Sequence, residues 1–344
     1  MGAAPWMDVL PAAVVALLPV LVFLAILFFL DSYKLLPARS VIAAVLAGVA
    51  IAGASYPVHS ILLGRLSMEV VTYSRYVSPW VEELLKGLVI VALLRTHRIG
   101  FLVDAAIVGF AVGSGFALAE NLYYLHLAAG AGMGTWIVRG FGTAVMHGGT
   151  TALFAVIGLT RLEQSGRWQA TTFVPGFVLA VLLHSAFNHL SHAPHIATLV
   201  TLLTLPPLHW MVWERSERAL RRWLGQGFDV DARMLELIDS GNLAGSPAGH
   251  YLESLKRGPH GTLMAEALRY LRLYTELSLR AKGVLMMREN GFEPRPLDEA
   301  TRAKFVELRQ LEQSLGATGL RALRPLLGMR HKDLWQLHML EAGA

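Results

Sequence analysis

Four apolar stretches of this sequence contain side chains that such stretches ordinarily exclude. One holds Pro79-Trp80-Val81-Glu82-Glu83-Leu84-Leu85-Lys86 and the next holds Glu120-Asn121; a third carries His147 ahead of Gly148-Gly149-Thr150-Thr151, and a fourth carries His184-Ser185-Ala186-Phe187-Asn188. A charged side chain at the centre of a membrane helix costs about 2.5–3.5 kcal/mol on an insertion scale, so each one needs a compensating role. Two histidine nitrogens with one or two carboxylates are the donor set of a catalytic zinc site, which keeps one position for water. Such a metal polarises a scissile carbonyl and acidifies the water, a spare glutamate takes the proton, and an amide such as Asn188 can steady the oxyanion. The donors come from separate segments and no compact HExxH motif is present, so the pattern is diffuse.

Spacing supports one common site. His184 and Asn188 are four apart, as are Glu82 and Lys86, and each pair therefore shares a helical face. Glu82 and Glu83 point about 100° apart, so one can face the site while the other meets a partner such as Lys86. Counting about 1.5 Å per residue from the outer ends of alternating spans places Glu83, Glu120, His147 and His184 roughly 8, 12, 20 and 9 Å deep. One shared layer explains this better than four separate anomalies. Gly113, Gly115, Gly148 and Gly149 would let neighbouring backbones come close to Glu120 and His147. Each residue taken alone has a blander reading. Glu82 with Lys86 also suits a structural i,i+4 pair, and a lone His147 suits a satisfied core histidine. Glu120 is harder to explain away, because no Lys or Arg lies within four residues of it. Asp104 and Arg139 read as helix-end or snorkelling charges. His189, His192 and His195 read as interfacial.

The elements that must position these residues are membrane helices. Only 16% of the 344 residues are charged and mean hydropathy is +0.47, which removes most of the chain from the soluble class. Apolar stretches near 8–30, 38–63, 77–96, 101–128, 134–160, 169–190 and 194–213 are each long enough to cross a core of about 30 Å. Their flanking Lys and Arg place the N-terminus outside and the C-terminus in the cytoplasm. Only the connection holding Arg65 and Arg75 departs from the positive-inside rule. The first basic residue is Lys34, after the first apolar run, so that run is expected to stay as a span rather than to be cleaved. Trp6 stands where a myristoylation signal needs Ser or Thr. The absence of cysteine excludes a disulfide framework, a thiolate metal site and a cysteine nucleophile. The net charge of +5 sits beside apolar spans, which suits lipid headgroups rather than nucleic acid.

The expected fold class is all-α: a polytopic bundle of about seven transmembrane helices over 1–214, and a cytoplasmic helical domain over 215–344. Within the latter, Gly225-Gln226-Gly227 and the Asn242–Pro247 region read as breaks. Residues 262–288 show helical spacing, and a further helix over about 298–314 starts from Asp298 and Thr301.

At these residues the chain resembles the PrsW family of membrane metalloproteases, within the superfamily that also holds the CAAX prenyl endoproteases and bacteriocin-processing or bacteriocin-immunity proteins. The likeness rests on Glu82-Glu83-x-x-Lys86, on Phe116-x-x-x-Glu120-Asn121 after the glycine-rich Asp104-to-Gly115 stretch, on His147, and on His184-x-x-x-Asn188. It covers about residues 77–190 and leaves the tail after about residue 215 aside. The resemblance implies an intramembrane protease, zinc-dependent, in a bacterial cell membrane. Its partners would be the lipid bilayer and a membrane-anchored protein substrate, cut near the outer face, as in regulated proteolysis of anti-sigma factors. CAAX proteases have a histidine where this chain has Glu120, which weakens prenyl-protein processing as a transfer. Carried over by position, Glu83, Glu120, His147 and His184 are the expected metal ligands, and Glu82, Glu83 and Asn188 the catalytic groups. Which of Glu82 and Glu83 is ligand and which is base stays open, as does a water activated by protein alone. Oligomeric state is not legible.

Other chemistries are weaker. Gly113-Ser114-Gly115 with His184 superficially suits a serine mechanism, but Val112 stands where its earlier glycine is required. An aspartyl mechanism needs a deep partner for Asp104. A proton- or cation-coupled transporter would also carry intramembrane Glu and His, yet no internal repeat is visible. A non-catalytic scaffold or sensor would use the tail as its working part.

Overall fold

Long runs of Leu, Val, Ala and Ile build helices throughout. The computed structural model describes residues 6–31, 33, 35–128, 130–256, 264–327 and 331–342, and no strand occurs among them. In chain order the helices are α1 (Trp6–Leu30), α2 (Ala38–Leu66), the short α3 (Val70–Tyr76), α4 (Ser78–Arg95), α5 (Leu102–Leu127) and α6 (Met133–Ile137). A π-helical turn, Val138–Thr143, leads into α7 (Ala144–Ser165), followed by α8 (Ala170–His189) and α9 (Pro194–Asp239). The remainder is α10 (Pro247–Lys256), α11 (Met264–Glu289), α12 (Glu299–Leu327) and α13 (His331–Ala342). By internal packing the chain divides into Met1–Asp31 with Leu36–Glu217, and Ser32–Leu35 with Arg218–Ala344.

Among the described residues six helices are long and apolar enough to cross a membrane, against the seven spans expected. The difference is α4, whose 18 residues carry Glu82, Glu83, Lys86 and Arg95. At about 27 Å it still has the length of a span. α5 and α7 are the inner helices, with 83% and 89% of their most apolar windows buried; α1, α2, α8 and α9 bury 17–28% and turn most of their surface outward. An apolar outward face is what lipid requires.

α5 sits between α2 and α7, and glycines set both crossings. A Cβ on Gly115 would lie 2.0 Å from the Val45 carbonyl oxygen, and one on Gly48 would lie 2.0 Å from that of Val112. On the other face Gly109 and Gly113, a small-xxx-small pair, meet α7 backbone at Ala152 and His147. A Cβ on Gly148 or Gly149 would meet the Phe110 ring or the Leu205 side chain; Gly113 and Gly115 face neighbouring backbone directly, Gly113 with the Gly148 Cα against it. Gly113→Ala should lower stability by about 1–3 kcal/mol, because the new methyl would stand 2.2 Å from the His147 carbonyl oxygen, a backbone atom that cannot swing aside. Gly53→Ala, with nothing within 4 Å, is the control, and should be neutral or stabilising by up to about 1 kcal/mol. Thermal unfolding in detergent compares them; equal melting temperatures would remove close packing as the reason for Gly113.

In the second unit α9 runs unbroken through Gly225 and Gly227, where a break was expected. Glycine weakens a helix by about 1 kcal/mol relative to alanine, but Gly227 makes room for α11: a Cβ there would lie 2.7 Å from Lys282 Cε. The buried Lys282 ammonium pairs with Asp231 and lies 5.0 Å from the Trp223 ring centroid. The Asn242–Pro247 region does break the chain, forming a 3-10 turn before α10. Asp298 caps α12 as expected, its Oδ1 accepting the Thr301 N–H at 2.9 Å. α12 runs on to Leu327, with a kink at Gly316, where φ is 60°. Residues 262 and 263 of the expected tail helix, like Lys34, lie outside the described residues.

Candidate active site

α4 begins at Ser78-Pro79, proline being preorganised for a first helical turn. One turn later it presents Glu82 and Glu83 inward, with Lys86 a turn further on, all buried. α5 brings Glu120, α7 brings His147 and α8 brings His184, and these side chains meet.

Each histidine turns one ring nitrogen to a carboxylate. The His184 Nδ1–H donates to Glu83 Oε1 at 2.9 Å, and its Nε2 lies 3.9 Å from Glu82 Oε2. The His147 Nε2–H donates to Glu120 Oε2 at 3.1 Å, which leaves Nδ1 4.0 Å from the same Glu82 oxygen. The two rings stand nearly perpendicular, 4.8 Å apart. Glu82 Oε2 is itself buried without a hydrogen-bond partner. One ligand atom from each of Glu82, His147 and His184 falls within 4.8 Å of the others. A buried, unsatisfied carboxylate oxygen beside ring nitrogens of two histidines is a costly arrangement for protein alone and a fitting one for a divalent cation with N and O ligands. One group competes: Lys86 Nζ donates to His147 Nδ1 at 3.1 Å, using the lone pair that a metal would need.

The neighbouring glutamates are thus separated by their partners. Glu83 Oε1 accepts from Lys86 Nζ at 2.6 Å, from His184, and from Thr150 Oγ1 at 3.4 Å. Lys86 therefore pairs with Glu83 at i,i+3 and not with Glu82 at i,i+4, where a structural pair was also considered. In this position Glu83 holds and orients a histidine from behind, as carboxylates commonly do for metal-ligating imidazoles. Glu82 Oε1 accepts from Ser78 Oγ and lies 3.6 Å from His59 Nε2, leaving Oε2 to the cluster.

Glu120 is the most open of the carboxylates, with 27% of its side chain exposed against 11% for Glu82 and 2% for Glu83. Arg139, carried by the π-helical turn, reaches Glu120 Oε1 at 3.4 Å and donates through Nε to Asn121 Oδ1 at 2.9 Å. Its guanidinium lies 3.8 Å from the Tyr124 ring centroid. π-turns interrupt helices at functional sites more often than elsewhere; here the turn converts an expected helix-end charge into a clamp on Glu120. Asp104 does serve as a helix-end charge, its Oδ2 accepting the Gly100 and Phe101 N–H groups at 3.0 and 3.1 Å. Asn188 has a partner outside the cluster. Its Nδ2 donates to the Ser74 carbonyl at 2.8 Å and, with Ser185 Oγ donating to the Arg75 carbonyl at 2.6 Å, fastens α3 to α8. Ser114 Oγ is buried with no hydrogen-bond partner and is therefore not coupled to His184 as a serine nucleophile would be.

His59, Tyr73, Ser78 and Thr150 reach these groups without having been singled out from sequence. For His59 a signal existed, since it is the one histidine in the apolar stretch 38–63. The others look ordinary until the helices are packed.

An all-helical membrane bundle with a buried Glu–His–His cluster is compatible with an intramembrane enzyme of the metal-dependent type. Residues 34–212, just over half of the chain, match the family model of the PrsW family intramembrane metalloproteases, and the chain belongs to that family. No curated protein and no solved structure matches it. It is accordingly an integral membrane protease whose family implies a metal.

Proposed function

We propose that Glu82, His147 and His184 hold a zinc ion, that Glu120 is the general base, and that Glu83 with Lys86 orients His184. The observation that carries this reading is the unsatisfied Glu82 Oε2, with a ring nitrogen of His147 and one of His184 about it. Relative to the expected ligand set of Glu83, Glu120, His147 and His184, Glu82 takes the place of Glu83, and Glu120 moves from ligand to base. When bound, the zinc polarises the scissile carbonyl and makes water a nucleophile near neutral pH. Glu120, the carboxylate most open to substrate, takes the water's proton and passes it to the leaving amine, with Arg139 holding its carboxylate in place. Asn188 acts through α3 and not on the reacting atoms.

The substrate we propose is a membrane-anchored protein cut close to the outer face of a bacterial membrane, with an anti-sigma factor in regulated proteolysis as the working candidate. Two features support the depth. Glu82 lies near the start of α4, and Glu120 and His184 near the ends of α5 and α8, while His147 sits toward the middle of the continuous span Met133–Ser165. Arg95, Arg98, Arg161 and Arg167 lie at the opposite ends of α4 and α7, which the positive-inside rule assigns to the cytoplasm. The N-terminus is then outside and the C-terminal unit cytoplasmic.

Purified full-length protein in detergent should contain about one zinc per chain and cleave a single-span substrate, with both properties lost on chelation and restored by zinc. Cleavage that survives complete metal removal would replace this proposal with a water activated by protein alone.

A further inference from the structure

Away from the glutamates and histidines, α4 and α8 leave a groove of about 340 Å³ between them. Leu84, Leu88 and Val91 form one wall, and Phe173, Val174 and Phe177 the other. The floor is Gly87 set against the buried Phe154 ring of α7, which a Cβ on Gly87 would approach to 3.2 Å.

The two ends of the groove differ. At the outer end the Trp80 and Phe177 rings meet edge to face, 5.7 Å apart. At the other, the Arg95 guanidinium lies 5.9 Å from the Trp168 ring centroid, and among the described residues it has that ring and no carboxylate as its partner. Arg95, Trp168 and Gln169, all at this end, carry the only polar side-chain atoms of the lining. From Leu84 to Arg95 the groove runs about 16 Å by the helical rise. That is half of a hydrocarbon core of roughly 30 Å, the depth of one leaflet. Arg95 stands at the end that the basic connections assign to the cytoplasm. A channel one leaflet deep, apolar along its length and cationic at headgroup level, is complementary to a phospholipid of negative headgroup charge. A transmembrane helix, about 10–12 Å across, is too thick to enter it. A second groove, along α1 and lined by Val14, Leu18 and Phe141, has no polar side chain and so nothing with which to select a headgroup.

We propose that the groove between α4 and α8 binds one anionic phospholipid of the cytoplasmic leaflet, with an acyl chain lying over Phe154 and the phosphate held by Arg95. Trp168 stacks beside that arginine at the headgroup level, where tryptophan is commonly found. The inference rests on the membrane orientation proposed above and not on the metal chemistry. A lipid in this position braces α4 against α8, the helices that carry Glu83 and His184.

The test uses the full chain in detergent, with phosphatidylglycerol and phosphatidylcholine of matched acyl chains as probes. Bound lipid is read by native mass spectrometry, and unfolding temperature is read beside it. One phosphatidylglycerol should bind per chain about 5-fold more tightly than phosphatidylcholine, the worth of one arginine near an anionic headgroup, and should raise the unfolding temperature. Arg95→Gln should bring the two lipids to equal affinity. Arg215→Gln, which removes a cation on the same side of the membrane but outside the groove, should leave the preference intact. Val174→Trp fills the groove and should weaken both lipids alike. Equal retention of the two lipids by the parent protein, or a preference that survives Arg95→Gln, overturns the inference and leaves an ordinary lipid-facing surface. Displacement of the lipid by inorganic phosphate alone would overturn it in favour of a phosphate site. A photo-crosslinker at position 174 that captures a single-span peptide or a second copy of the chain, undiminished by excess phosphatidylglycerol, would overturn it in favour of a protein contact. If Val174→Trp does not fold, the two arginine variants decide. None of these outcomes depends on zinc or cleavage, so the protease reading is tested separately.

Discussion

Glu82→Gln is expected to abolish cleavage, by at least about 1,000-fold in kcat/KM, and to remove zinc from the purified protein while the fold persists. Glutamine keeps the shape and can still accept the Ser78 hydroxyl at its amide oxygen, so the bundle loses little. What it loses is the anionic Oε2 that faces His147 and His184 with no hydrogen bond of its own. Removing an unsatisfied buried charge relieves a desolvation cost, so unfolding temperature in the absence of metal should hold or rise. Metal analysis and cleavage are read on the same preparation. Lost cleavage with zinc retained would make Glu82 the base and not a ligand; full activity would exclude it from the site. Glu83→Gln should behave differently, since that side chain is tied to Lys86, His184 and Thr150 and serves the cluster through them.

His184→Ala should have an effect of similar size on cleavage and zinc content for a separate reason. It removes a proposed ligand whose free Nε2 is created by the Nδ1 hydrogen bond to Glu83. Glu83 does not become an unpaired charge, because Lys86 Nζ stays 2.6 Å away. Breaking a buried pair by removing one member costs about 3–5 kcal/mol, and that cost is avoided here. Stability should fall only by the cavity left on the inner face of α8, by about 2–4 kcal/mol before relaxation. The informative measurements are zinc content and unfolding temperature side by side. A variant that keeps zinc and activity would leave His147 and Glu82 with too few partners for a catalytic site and would sink the proposed ligand set.

Both predictions depend on residues visible in the sequence, yet their division of labour was not. The all-helical class, the spans and the likeness to PrsW proteases could be read because lipid enforces simple rules: apolar runs of spanning length, charges excluded unless they work, basic residues at one set of ends. The same economy misled once: the Gly225–Gly227 break is absent because α11 packs Lys282 into the space glycine leaves, whereas α4 keeps the length of a span under a heavier charge load than the others.

Sequence alone determined that Glu82, Glu83, Glu120, His147 and His184 belong to one constellation, because each would be too costly in its helix otherwise. It left open which of two adjacent glutamates does what, because a helix fixes only the angle between them and not what stands opposite. Tertiary structure separated their partners: His184 Nδ1, Lys86 and Thr150 converge on Glu83, while Glu82 is left with one oxygen, Oε2, unsatisfied. It likewise gave Asn188 a partner on α3 and brought Arg139 and His59 to the glutamates, through contacts between residues far apart in the chain. Helical periodicity carries information over a few residues, and side-chain pairing across packed helices is decided only when the helices dock.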